Sequence, residues 1–419
     1  MWPLATTKPK HILPVAGRPI ISHLLSALAA AGITELTIVV GFKGELIKSA
    51  LGDGAEYGLT IEFLHQPAWT GTASALNVAR KSVGHAPFLA IYGDLLVSQS
   101  CIEAVLEKAR ECSKVMGVVR VADQSQYGVV EIRGDRITGI REKPSGKLSG
   151  EGWVNTGIYV LDSDIFRSIK GTGRSARSEY ELTSSLQRII DEGKEVKAAT
   201  ISRDGWMDIG RPWDLLEANE RVLMNFTTRV KGTVEPGVTI KGPVWVEESA
   251  SIKSGSYIEG PAYIGEGSTV GPNARIRPYS SIGNGVRVGA SCEVKNSMIM
   301  NRTRIPHLSY VGDSIIGEAC NLAAGTITAN IRLDEAIVKV KSKGKLLSSE
   351  RRKLGTIMGD RVQTGINACI MPGVRVGPGA LIGPGVVVYD DVKTDQMIFA
   401  RQSLVKKPIK GRAGRRSLD

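Results

Sequence analysis

From Val234 to Val294 an aliphatic residue returns at every sixth position: Val234, Ile240, Val246, Ile252, Ile258, Ile264, Val270, Ile276, Ile282, Val288 and Val294. Four places after each stands a small or compact residue, from Val238 and Val244 through Ala250, Ser256, Ala262, Ser268, Ala274, Ser280 and Val286 to Cys292, before the larger Met298. Neither the helical nor the strand period produces this spacing, whereas a hexapeptide repeat of a parallel β-helix does. Each hexad is read as a short strand plus a turn, three to a triangular coil. The aliphatic residue points inward and the small one fits where the wall bends. After Val294 the aliphatic positions are Ile299, Ile305, Val311, Ile316 and Leu322, so steps of five interrupt the six. Such slips displace a turn without ending the coil. The pattern fails from Thr328 to Ile357 and resumes at Met358, Thr364, Ile370, Val376, Ile382 and Val388. The expectation is a left-handed parallel β-helix over residues 233–398 with an excluded loop over 328–357, and long loops of that kind are disproportionately functional.

The first half reads differently. Pro3, Pro9, Pro14 and Pro19 predict an extended loop over the first 19 residues, followed by a helix from Ile20 to Ala31 that stops at Gly32. Strands are then expected at Leu36 to Gly41, Thr60 to Leu64, Pro87 to Tyr92 and Val196 to Ile201. Helices are expected at Glu45 to Leu51, Thr72 to Val83, Ile102 to Glu111 and Arg211 to Met224. This alternation predicts an α/β domain, Rossmann-like, with a mixed, mostly parallel sheet over 1–225 and a linker over 226–232. Ligands of such sheets bind beyond the carboxyl ends of the strands.

A length of 419 residues agrees with two domains. No apolar run is long enough for a membrane span and no secretory leader is evident, so a cytoplasmic protein without a membrane partner is expected. Cys101, Cys112, Cys292, Cys320 and Cys369 show no metal-like spacing and read as reduced packing residues. The net charge of +12 is concentrated: residues 336–355 carry seven Lys or Arg against Glu350, and the basic tail within 399–419 carries seven against Asp419. Without interleaved aromatics these segments suit a polyphosphate ligand at least as well as a nucleic acid, and a solvated loop and tail remain the plain alternative. No nucleic-acid partner is expected.

Two carboxylates fall at strand ends. Asp94 follows an apolar strand directly and Asp208 occupies a similar place after Val196 to Ile201; together they could hold a Mg²⁺ ion, which takes carboxylate, water and phosphate oxygens. Position alone equally allows a turn or a helix cap.

The surrounding motifs narrow this. Thr7-Lys8-Pro9-Lys10 with Leu13-Pro14-Val15, Gln66-Pro67 with Gly71-Thr72-Ala73, Tyr92-Gly93-Asp94, Tyr127-Gly128-Val129-Val130, Arg141-Glu142-Lys143-Pro144, Asn155-Thr156-Gly157 and Trp206-Met207-Asp208-Ile209-Gly210 follow one another in order. As a set they resemble the sugar-1-phosphate nucleotidylyltransferases over roughly 1–225. The resemblance implies that Lys10 contacts the phosphates at the reacting centre, that Gln66, Gly71 and Thr72 read the base of UTP or dTTP, and that Asp94 and Asp208 hold Mg²⁺. It further implies a sugar pocket lined by Gly128, Glu142, Asn155 and Lys143. The reaction needs alignment and charge neutralisation and no protein nucleophile. The family's LAAGxGTR segment, with its strand, has no counterpart between Met1 and Thr7; a start assigned late, or a domain without transferase activity, are the two expectations.

In the repeat, His307 lies two residues after an interior aliphatic position and is expected to face outward near a corner. Arg277, Lys295, Tyr310, Asn321 and Asn330 recur at about one coil, 18 residues, and are expected to stack along one side. Ile276-Arg277-Pro278, Glu293-Val294-Lys295, the run His307 to Asp313 and the run Asn321 to Asn330 resemble the acetyltransferase half of bifunctional N-acetylglucosamine-1-phosphate uridylyltransferase/glucosamine-1-phosphate acetyltransferases, above all the archaeal form. The resemblance, over roughly 232–405, implies a homotrimer or a dimer of trimers binding acetyl-CoA between subunits. It assigns His307 as general base, Arg277 and Lys295 to the sugar phosphate, and Tyr310, Asn321 and Asn330 to the sugar and the reacting carbonyl. Lys339, with Lys341 and the tail from Lys406 to Arg416, would meet phosphates of coenzyme A or the sugar. Glucosamine and galactosamine phosphates both stay open. A bifunctional enzyme is the leading expectation, followed by a single nucleotidylyltransferase with an oligomerising rod, and by a non-catalytic regulatory subunit.

Overall fold

The computed structural model describes residues 1–143, 150–175, 177–342 and 344–407. The hexads build three parallel sheets of eight, nine and eight short strands, one for each wall of the coil. Aliphatic residues stack inward in register: Val246, Ile264, Ile282, Ile299, Ile316, Met358 and Val376 lie above one another on one wall. Val246, Ile264, Ile282 and Ile316 are among the members 0% exposed, and burying such a side chain contributes about 1.5–3 kcal/mol. Where the count slips, Val288 still pairs with Ile305 and Val294 with Val311, so each shortened turn keeps its place in the ladder. Val234, at the first hexad, is 36% exposed, because a terminal coil has a neighbour on one side only. Within 226–232, read from sequence as a linker, Arg229–Val230 pairs with Trp245–Val246 and opens the first wall.

The α/β unit departs from expectation in several places. The first 19 residues are not simply extended: they form single helical turns at Leu4–Thr6 and Lys10–Ile12 and a tight strand pair, Pro14–Val15 with Arg18–Pro19. The expected helix Thr72 to Val83 breaks into Thr72–Val78 and Arg80–Val83. Glu35–Val40 and Thr60–His65 pair in parallel as a separate two-stranded sheet. The six-stranded sheet is mixed, but with more antiparallel neighbours than the alternation predicts. Gly152–Leu161 runs antiparallel to both Phe88–Ile91 and Val115–Val121, and only Lys197–Thr200 is parallel to its neighbour Val115–Val121. The hairpin Gly128–Arg133 with Arg136–Glu142, joined by a tight turn, adds a further antiparallel pair.

The excursion is not an excluded loop either. It leaves the solenoid after Ile327–Thr328, forms the antiparallel hairpin Lys339–Ser342 with Lys345–Ser348, and returns at Ile357–Met358. Its alternation puts Lys339 and Lys341 outward and buries Val338 and Val340. Those valines and Leu354 share one apolar cluster with Leu4, Leu13, Met207, Ile209 and Trp213 of the α/β unit and with Met298, Ile315 and Ile357 of the solenoid. The arm is therefore a wedge between the two units. Asn219, 0% exposed, adds a polar hub: its Oδ1 accepts from Ala16 N–H at 2.9 Å and Ser281 Oγ at 2.6 Å, and its Nδ2 donates to Tyr279 O at 2.9 Å. Basic tail residues from 408 onward lie outside the described residues. Among the described residues no helix is long and apolar enough to cross a membrane. Cys101, Cys292 and Cys320 are buried packing residues as expected, whereas Cys112 and Cys369 are half-buried.

Candidate functional sites

In the α/β unit the strand Leu95–Val97 pairs antiparallel with Trp206–Asp208, Asp208 opposite Leu95, which sets Asp94 and Asp208 side by side at the sheet edge. Ile209 N–H donates to Asp94 O at 3.2 Å and fixes that approach. Lys10 Nζ forms an ion pair with Asp94. Burial pushes the Asp94 carboxyl up, but the adjacent Lys10 ammonium outweighs it and leaves the group below its ordinary value. Among the described residues Asp208 forms no such ion pair; burial first, then the Asp94 charge, push it up to about 6. Two carboxylates crowded in this way are an oxygen donor set that suits a divalent cation, which would relieve their repulsion. Tyr127, pushed up to about 12 by burial and then by Asp208, packs at 5.6 Å against Trp206 beside them.

Gln66, after the strand Thr60–His65, donates from Nε2 to Gly71 O at 3.4 Å. Gly71 has φ +122° and a Cβ there would lie 2.4 Å from Tyr180 O, so only glycine fits. Thr72 Oγ1 accepts from Leu182 N–H at 3.0 Å. These three expected base-reading residues are brought together. So are Gly128, Glu142 and Asn155: a Cβ on Gly128 would meet Glu142 Oε2 at 3.0 Å and Asn155 Cβ at 3.6 Å. Glu142 accepts from Thr183 Oγ1 at 3.0 Å and Arg177 at 3.2 Å, and Asn155 Nδ2 donates to Tyr159 Oη at 2.6 Å. Lys143, exposed with φ +38°, stands at the outer end of the strand. Sequence reasoning missed Thr183, Arg177 and Glu181, which come from the following helix and its approach and carry no recognisable motif.

On the solenoid, Arg277, Lys295, Tyr310 and Asn330 gather on one wall as expected. Arg277 pairs with Glu293 at 3.0 Å, and Lys295 with Asp313 at 3.2 Å. Asn330 Nδ2 donates to Asp313 Oδ2 and, at 3.2 Å, to Tyr310 Oη; Asn296 Nδ2 donates to Asp313 Oδ1 at 2.8 Å. Asp313, with a side chain 4% exposed, is thus the hub of the cluster. It was missed: the slip shortens this coil to 17 residues, so Lys295 pairs with Gly312 and Asp313 stands one place further along, just after the strand. Asn321 does not join the stack. It lies on a different wall, between Arg304 and Gln363, because nine residues from Asn330 is half a coil rather than a whole one. His307 ends the strand Arg304–His307 on that same wall, exposed, at the corner that turns through Leu308 and Ser309 into Tyr310–Gly312. Lys339 stands on the outer face of the wedge hairpin.

A sheet-edge pair of carboxylates with a lysine, joined to a hexapeptide β-helix that carries its own polar cluster, defines a two-domain transferase class. Residues 1–225 match the nucleotidyl transferase family, residues 258–370 the family described as GMPPB C-terminal domain, and residues 355–390 the bacterial transferase hexapeptide repeats. The chain belongs to the family of bifunctional sugar-1-phosphate nucleotidylyltransferase/acetyltransferases. It is 40% identical to the bifunctional protein GlmU of Methanocaldococcus jannaschii over 97% of this chain and 96% of that one. Identity to the bifunctional protein GlmU of Methanococcus maripaludis is 42% over 97% and 95% of the two chains. A bifunctional sugar-1-phosphate nucleotidylyltransferase/acetyltransferase of Sulfurisphaera tokodaii is 40% identical over 93% and 94%.

Proposed function

We propose that the chain acetylates an amino-sugar 1-phosphate, of the glucosamine or galactosamine type, from acetyl-CoA in its β-helix, and transfers a nucleotidyl group from UTP or dTTP to the acetylated sugar phosphate in its α/β unit. The observation that carries this reading is the Asp313 cluster. A rod that served oligomerisation alone has no use for a carboxylate buried under Lys295, Asn296 and Asn330 on the wall that follows the His307 corner.

In acetyl transfer His307 takes a proton from the sugar ammonium, freeing the nitrogen lone pair to bond to the thioester carbonyl carbon; the carbon–sulfur bond then breaks, and the departing thiolate takes the second proton lost by the nitrogen to leave as the thiol of coenzyme A. Arg277 and Lys295 hold the sugar phosphate, Tyr310 and Asn330 orient the ring, and Asn321, on the neighbouring wall with His307, faces the acyl donor. Lys339 contributes positive charge for the phosphates of coenzyme A. The α/β unit and the wedge cover one wall, where Met298 and Ile315 are buried; the two remaining walls are open to neighbours in a homotrimer.

In nucleotidyl transfer Asp94 and Asp208 would hold Mg²⁺, which would supply charge neutralisation for the phosphates. Lys10 exchanges Asp94 for the α-phosphate, Gln66, Gly71 and Thr72 hold the base, and Gly128, Glu142, Lys143 and Asn155 orient the sugar. The sugar-phosphate oxygen then bonds to the α-phosphorus as pyrophosphate departs. Replacement of His307 by alanine abolishes acetyl transfer from acetyl-CoA and leaves nucleotidyl transfer intact; undiminished acetylation in that variant overturns the assignment.

A further inference from the structure

The strand of chain that carries Lys10 is fastened from its other side by the β-helix. Lys8 has a side chain 10% exposed, with Nζ 2.5 Å from Glu318 and 3.2 Å from Asp360, contacts that are ionic rather than well-aligned hydrogen bonds. Thr7 Oγ1 donates to the same Asp360 carboxylate at 2.5 Å, and the other Asp360 oxygen accepts Glu318 N–H at 2.8 Å. Lys43 Nζ closes the far side through Thr7 O at 2.7 Å. Further out, the Arg375 guanidinium sits 4.6 Å from the Trp2 ring and is held by Asp391 at 2.6 Å.

Between these anchors and Asp94 the chain has only the single turn Lys10–Ile12. The place of the Lys10 ammonium is therefore set by contacts at either end, since no long element carries it. Cohesion between the units is already supplied by the apolar cluster of Leu4, Leu13, Ile315 and Leu354. A buried ionic group adds little to stability, because desolvation offsets most of the attraction, but it does fix geometry. From this we infer that Lys8 is a positioning residue for nucleotidyl transfer: its pairing with Glu318 and Asp360 holds the Thr7–Lys10 segment so that Lys10 meets the reacting phosphates. The β-helix thereby becomes part of the machinery of the other unit's reaction. This rests on the role given to Lys10 above.

The test measures both reactions on the full-length protein. Lys8→Met lowers the nucleotidyl-transfer kcat about 10- to 100-fold, the effect expected of a displaced reacting group, with KM for both substrates changed by no more than about twofold and acetyl transfer unaltered. Lys8→Arg restores most of kcat. Because Lys8→Met leaves Asp360 without a cation and Glu318 with only the exposed Arg302 beside it, the triple variant Lys8→Met, Glu318→Gln, Asp360→Asn is the companion: it shows the same loss of kcat at the thermal midpoint of the parent. Glu318→Gln with Asp360→Asn alone reproduces the loss, and adding Lys8→Met to that pair brings no further decrease. Parental kcat in Lys8→Met or in the triple variant overturns the inference. An additive loss overturns it too, since Lys8 would then act on the ligand directly, as does a parallel fall in acetyl transfer, the mark of general unfolding. An unsubstituted protein that acetylates but transfers no nucleotidyl group overturns the Lys10 reading, and the positioning role falls with it.

Discussion

Asp313→Asn is the sharpest perturbation of the solenoid site. The substitution keeps size and shape, and φ +47° at this position is one that asparagine tolerates, so the backbone is not strained. What changes is the acceptor set. The two carboxylate oxygens receive Asn296 at 2.8 Å, Lys295 at 3.2 Å and Asn330. An amide offers one oxygen, and its NH₂ must face one of those donors whichever way it is turned. Lys295, with a side chain 18% exposed, also loses its counter-charge. Losing a hydrogen bond to a charged group costs about 1.5–3 kcal/mol. If about 2–3 kcal/mol of this appears in binding and orientation of the sugar phosphate, kcat/KM for that substrate falls about 30- to 150-fold. Steady-state acetyl transfer with the sugar phosphate varied at saturating acetyl-CoA is the assay; KM for acetyl-CoA and the nucleotidyl-transfer rate stay at parental values. A decrease in KM for the sugar phosphate refutes the reasoning, because Asp313 would then compete with the phosphate for Lys295 instead of holding Lys295 in place.

Other expectations concern the joint between the units and the outer surface. Val340→Asp places a carboxylate where the side chain is 0% exposed between the two units, so the hairpin undocks; amide exchange over 339–348 rises to that of a free loop, and retained protection contradicts the wedge. Gly17→Ala, at φ +83°, puts a Cβ 2.2 Å from Tyr263 Cζ across the joint. It combines a left-handed alanine with overpacking and lowers stability by about 2–4 kcal/mol, read as a shift in urea midpoint. Asp135, hydrogen-bonded first by Lys108 and then by Lys197, lies below its ordinary 3.8 at about 2. Its contribution is therefore present above pH 3.8 and lost as pH falls toward 2. Asp135→Asn flattens the stability profile in that acid window and leaves it unchanged in shape near neutrality, as urea midpoints across pH will show.

The parts legible in the chain were those with a period or a compact motif. The hexads fixed the inward face because an interior of stacked aliphatics tolerates no other residue at that step, and slips such as Val288 to Ile305 only shorten a turn. Asp94 and Asp208 were legible because strand ends converge at a sheet edge, and Lys10, which sits in a single helical turn, because of the compact motif around it. Asn321 was misplaced because a stack was inferred from approximate spacing, when half a coil already changes the wall. Lys8, Glu318 and Asp360 were not legible, since a contact across two units leaves no periodic trace in either.

The covered wall, by contrast, did leave a trace of its own. The residue that precedes each inward aliphatic points out of the coil, and on this wall the outward series runs Trp245, Tyr263, Ser281, Met298, Ile315 and Ile357. On the neighbouring wall the outward series is Thr269, Arg287, Arg304, Asn321 and Gln363. Both series share the coil repeat, and the first is mostly apolar between Arg229 and Arg375 at its two ends, as a face buried against another layer must be. The excursion leaves at the corner entering that same wall, so its alternate valines find an apolar surface on either side while its lysines stay in water. A solenoid thus encodes two patterns at once, an inward period of six that makes the rod and an outward period of one coil that says which wall the other unit occupies.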